Sequence, residues 1–214
     1  MPDKRIRLVT RGDDAGMCHT VNIAIRDAYE RGILRNVSLM VPAPDFEDAV
    51  AMLVGLDDVC VGLHLDLTAE WEHLRWGPVL PPEKVPSLVD AEGTFFHTTQ
   101  ALHANNPVLE QMQAEVRAQL AKARAYGVNV AYLDEHMVVG WIAGLGAWLS
   151  KFCEQEGLVY NSDIAEKGLL RPLPPLAEPA GNLVDDLIAR LEAAESGTYL
   201  IVGHPVYKLS LIHI

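Results

Sequence analysis

The chain has 214 residues, half of them hydrophobic and 21% charged, which suits one sizeable core and excludes disordered, collagen-like and disulfide-stapled classes. Lys and Arg total 17 against 29 Asp and Glu, a formal net charge of −12. That balance is repelled by polyphosphate, so nucleic acid and anionic membrane are poor partners, and a neutral or cationic small molecule fits better.

Short apolar runs alternate with longer periodic ones along the chain. Residues 6–10 predict a buried strand, followed by a polar turn over 11–16. Thr20 caps a helix that runs to about Glu30 and stops at Gly32. Strands follow at 37–41 and 59–67, with a helix at 45–56 between them. The clearest helix is 109–125, where Leu109, Met112, Val116, Leu120 and Ala123 share one face. Strands at 128–133, 158–160 and 199–202 and helices at 145–156 and 182–195 complete the pattern.

Six strands in strict alternation with five helices call for right-handed βαβ units around a parallel sheet. A doubly wound sheet and a (β/α) barrel both satisfy it. The expectation is one domain over 1–214, with a long insert at about 70–107 carrying Trp71 and Trp76. Loops of that length inside a compact domain are usually functional. The proline-rich stretch 171–181 reads as a surface connection. Six strands fall short of a closed barrel, which would leave the last strand with an unpaired edge after Val202 that invites association, and a homodimer is possible. Cys18, Cys60 and Cys153 form no CxxC pair, as expected of reduced thiols in a cytoplasm. No apolar run reaches the ~20 residues that span a bilayer, and the first residues lack the apolar core of a signal peptide.

Parallel α/β folds build their sites at the carboxyl ends of the strands. Strand one is followed by Asp13-Asp14, strand three carries His64, strand four leads into Asp134-Glu135-His136, and the last strand runs into His204. Any one of these has a plain alternative: a helix cap, a hydrogen-bonded core histidine, a polar loop. Together at one pole they suit a three-ligand divalent metal site with open positions for water.

The ordered set Thr10-Arg-Gly-Asp-Asp-Ala-Gly16, Ser38-Leu-Met-Val-Pro42, Gly62-Leu-His-Leu65 and Leu133-Asp-Glu-His136 resembles that of the YdjC-like carbohydrate deacetylases. Ser87-Leu-Val-Asp90 with Gly93-Thr-Phe95 looks like that family's central insert, and Glu115-Val-Arg-Ala-Gln119 like its following helix. The resemblance implies a distorted TIM-like (β/α) barrel of parallel strands with outer helices, and metal-dependent removal of acetyl groups from N-acetylated sugars or oligosaccharides. It implies Asp14, His64 and His136 as metal ligands, Asp13 as general base and His204 as general acid. The cofactor would be a divalent ion: Zn, Mg, Ni or Co. Trp71 and Trp76 could stack on sugar faces or anchor the insert. Ala15 and Val138 stand where family members commonly carry Phe and a second His. Relatives usually continue past the His-Pro segment, so the barrel is expected to be incomplete at the C-terminus, with the tail at 209–214 foreign to it. A metal-dependent phosphohydrolase and a non-catalytic sugar- or metal-binding protein are the competing readings. No glycine-rich phosphate cradle supports the first, and binding alone leaves Asp13 without a task.

Overall fold

The computed structural model describes residues 5–176 and 181–207, so the tail at 209–214 lies outside the described residues. The elements run β1 (Ile6–Ala15), α1 (His19–Arg31), β2 (Asn36–Leu39), α2 (Phe46–Leu53), β3 (Cys60–Leu65), α3 (Thr99–Ala104), α4 (Leu109–Ala125) and β4 (Val130–Glu135). Then follow α5 (Leu145–Glu156), β5 (Val159–Tyr160), α6 (Asn161–Glu166), β6 (Arg171–Pro172), α7 (Leu183–Ala193) and β7 (Gly197–Gly203). The strands form one sheet in the order β5-β4-β3-β2-β1-β7-β6. Every pair in it is parallel.

The sheet is curled rather than open and flat. β1 and β4 stand three strands apart, about 14 Å in a flat sheet at ~4.8 Å per strand. Yet Arg11 Nη2 on β1 lies 3.1 Å from Asp134 Oδ2 on β4. Ser38 on β2 likewise meets the Tyr132 hydroxyl on β4 at 3.0 Å. The concave face is therefore a polar lumen bridged by side chains. Gly62 on β3 makes room for it, because a Cβ there would lie 2.2 Å from the Tyr132 ring. The architecture is a half-barrel of the distorted TIM-like (β/α) kind, with helices around it.

Three departures from the sequence expectation have physical causes. The turn expected at 11–16 is strand as far as Ala15, because Arg11 and Asp13 face a polar lumen instead of solvent. The surface connection expected from 171 begins as β6, whose Arg171 and Pro172 pair with Tyr199 and Leu200. β7 is thus flanked by β1 and β6, so the strand expected to be an unpaired edge is not one. Pro172 is tolerated because β6 is itself the edge, where a missing N–H is harmless. The short helices α3 and α6 were not expected at all.

The core lies between the convex face of the sheet and α1, α2, α4 and α5, with Leu39, Leu63, Leu133, Phe46, Met112 and Leu149 among its buried side chains. Each such side chain contributes roughly 1.5–3 kcal/mol relative to exposure. The long insert belongs to this core: Trp76, Val85, Leu88 and Phe95 are all buried in it. Glu115 and Gln119, one turn apart on α4, fasten it. Glu115 accepts the backbone N–H groups of Val79 and Leu80 at 2.8 and 3.0 Å. Gln119 donates to the Asp66 carbonyl at 2.7 Å. Among the described residues no helix is long and apolar enough to cross a membrane.

Candidate metal centre

The site begins with a break in β1. Asp14 takes a left-handed backbone at φ 68°, uncommon outside glycine, which rotates its carboxylate away from the position strict strand alternation would give. The turn is held by Met17 N–H on the Asp14 carbonyl at 3.0 Å and by Gly16 N–H on Asn22 Oδ1 at 2.7 Å. Gly16 must be glycine: its φ is 96°, and a Cβ would lie 2.8 Å from the Met40 carbonyl oxygen.

Asp14 Oδ1 then faces two imidazoles, His64 Nε2 at 3.4 Å and His136 Nδ1 at 3.3 Å, while the two ring nitrogens are 3.3 Å apart. The far side of each ring fixes its tautomer. His64 Nδ1 lies 2.8 Å from Asp134 Oδ2, and His136 Nε2 lies 2.9 Å from Glu70 Oε2. An ionised carboxylate only accepts, so those nitrogens carry the protons and the inward ones present lone pairs. Asp14 Oδ1 is buried without a hydrogen-bond partner. Three electron-pair donors thus converge on one point, an arrangement that repels itself unless a cation stands between them. One carboxylate and two imidazoles suit a borderline divalent ion.

The electrostatics agree. Burial disfavours charge on His64, but Asp134 and Asp14 outweigh it and hold the ring up to about 9. Burial opposes charge on His136 too, yet Asp66, Asp14 and Glu70 hold it well above the ordinary imidazole value. Burial would raise Asp14, but the two imidazoles facing it, positively charged when protonated, keep it well below the usual carboxylate range. The centre demands positive charge. Protons or a divalent cation meet that demand, and an entering cation must displace the protons.

Asp13 is buried beside this point and gripped by Arg11, Nε to Oδ1 at 2.6 Å and Nη2 to Oδ2 at 2.8 Å. His204 is brought to the same end of the sheet but not into the cluster. Gly203 pairs with Gly12, so His204 leaves β7 level with Asp13, and it is exposed. Trp71 is 51% exposed next to Glu70, at the rim. Trp76 is different. It is 4% exposed, and its Nε1 donates to Asp66 Oδ2 at 2.5 Å, so no ring face remains for a sugar and it anchors the insert. Val138 is 68% exposed two residues after His136, at φ 53°.

Sequence reasoning missed Glu70, Arg11 and Asp66. Glu70 sits 66 positions from the ring it orients, and no periodicity could pair them. Arg11 was hidden in an apparent turn. Asp66 was visible two residues after His64, but its burial, which pushes it up to about 6, follows only from the insert closing over it.

A family model described as YdjC-like protein matches residues 7–208. The chain belongs to the YdjC-like family. Among relatives of this YdjC-like chain, a carbohydrate deacetylase of Brevibacillus brevis is 34% identical over 131 residues, 61% of this chain and 49% of the relative. A carbohydrate deacetylase of Danio rerio is 30% identical over 174 residues, 79% of this chain and 53% of the relative. The chain spans about half the length of the curated relatives it matches. A crystal structure from Enterococcus faecalis, provisionally named a cellobiose-phosphate cleavage protein, shares the YdjC-like chain's fold. Its TM-score is 0.78 at 21% identity, covering 99% of this chain and 85% of that one.

Proposed function

We propose that this chain is the (β/α) domain of a metal-dependent carbohydrate deacetylase, hydrolysing the acetamide of an N-acetylated sugar or oligosaccharide. The observation that carries the reading is the convergence of Asp14 Oδ1, His64 Nε2 and His136 Nδ1 on one point, with Asp14 Oδ1 otherwise unpartnered. Relatives named carbohydrate deacetylase supply the substrate class.

Asp14, His64 and His136 would hold a divalent ion, with Asp134 and Glu70 fixing the two rings. Bound there, such an ion lends Lewis acidity to a carbonyl oxygen and lowers the pKa of water. Asp13 is the proton acceptor: its carboxylate is gripped by Arg11 through two hydrogen bonds and lies beside the three ligands rather than among them. A positioned base of this kind is worth ~10²–10⁴-fold. His204, which leaves β7 level with Asp13, is the proposed donor of a proton to the departing amine. Trp71 offers the apolar surface on which a pyranose ring can stack. The three cysteines are free, which fits a reducing cytoplasm. The test is acetate release from N-acetylglucosamine oligomers. Activity lost to a chelator and restored by Zn²⁺ or Co²⁺ is expected, and no release with any divalent ion would overturn the reading.

A further inference from the structure

Among the described residues, two groups of three side chains are close enough to hold a cation, and they share His64. One is Asp14, His64 and His136; the other is Asp13, His64 and Asp134, with every donor atom of a group within 4.8 Å of the others. The second group is wholly buried and has two carboxylates, so its donor set attracts a divalent ion at least as strongly as the first.

What separates the two groups is Arg11. Its Nε and Nη2 lie 2.6 and 2.8 Å from the two oxygens of Asp13, and Nη2 also lies 3.1 Å from Asp134 Oδ2. Its Nη1 reaches Asn161 Oδ1 at 3.4 Å, so the fork is fixed across the lumen. A guanidinium keeps its charge at any working pH and matches carboxylates in two places at once. We infer that Arg11 is a positioning residue that fills the second group, so that a divalent cation is confined to Asp14, His64 and His136 and Asp13 stays off it. This rests on the proposed function and deepens it.

The competition runs through one ring. A cation in the second group would take His64 Nδ1, breaking the 2.8 Å bond to Asp134 that leaves Nε2 for the first group. A neutral imidazole offers a single lone pair, so His64 serves one group or the other. With Arg11 in place, Asp134 accepts from Nδ1, and the choice is made before any ion arrives.

The test uses Co²⁺ alone, read by equilibrium dialysis and by its visible spectrum. Wild type should bind about one ion per chain, and Asp14→Asn should lose about 10-fold or more in affinity. Adding Arg11→Met to Asp14→Asn should recover about 10-fold and give a spectrum unlike that of wild type, since the second group is now open. No gain over Asp14→Asn alone would overturn the inference and leave the first site intact. If wild type binds no Co²⁺, the metal reading fails and the inference fails with it. A purely structural Arg11 would lower the melting temperature without changing affinity or spectrum. Should the methionine variant not fold, Arg11→Lys in the same Asp14→Asn background keeps the charge but cannot bridge both carboxylates. A partial gain there supports the inference, and none overturns it.

Discussion

Glu70 Oε2 lies 2.9 Å from His136 Nε2, so a residue of the long insert decides which nitrogen of a barrel histidine faces Asp14. The burial that would raise Glu70 is outweighed by that bond, and its carboxyl is held below the ordinary value. Glu70→Ala should therefore free the ring to rotate and to change tautomer. Zn²⁺ affinity is expected to fall about 10–100-fold with the fold unchanged, measured by calorimetric titration. Wild-type affinity in that variant would mean that His136 needs no orienting partner.

Trp76→Phe keeps the buried ring but removes the donor to Asp66, which is itself fully buried. The cost expected is about 1–3 kcal/mol, the penalty of an unsatisfied buried acceptor. For a chain of this size that is roughly 2–4 °C of melting temperature per kcal/mol. Metal affinity should hold. A sugar-stacking Trp76 would instead leave the melting temperature alone and weaken oligosaccharide binding.

These two residues mark the limit of what the sequence disclosed. Asp13, Asp14, His64 and His136 were legible because strand ends gather at one pole, and each stands beside a recognisable apolar run. Glu70 was not, because its partner is fixed by how the insert folds back onto the barrel. Trp76 carries the same letter as Trp71, and only packing separates an anchor from an exposed ring. β6 escaped because two residues, one of them proline, carry no alternation to read. Arg11 escaped because a charged residue in an apolar run signals a turn unless a polar lumen receives it.

Cys153 on α5 is buried, and burial, with the charges of Asp163 and Glu156, pushes its thiol up to about 12. The folded value stands above the ordinary 9.0, so the fold favours the neutral thiol. Its contribution to stability is complete below about pH 9 and is lost as pH rises through about 12. Iodoacetamide at about pH 8.5 should label Cys18 or Cys60 in the native protein and reach Cys153 only on unfolding. Mass spectrometry of the alkylated peptides settles it, and fast native labelling of Cys153 would contradict its burial.

Acetate release from N-acetylglucosamine oligomers, followed as Zn²⁺ is added to wild type, Asp14→Asn and Asp13→Asn, tests the division of labour at the centre most directly. Wild type should saturate. Asp14→Asn should need far more Zn²⁺ and recover in part, because a neutral amide oxygen is the weaker donor. Asp13→Asn should saturate at the wild-type Zn²⁺ concentration but turn over ~10²-fold or more slowly at every point, since the proton acceptor is gone. An Asp13→Asn curve that follows wild type, or a wild-type curve that ignores Zn²⁺, would contradict it.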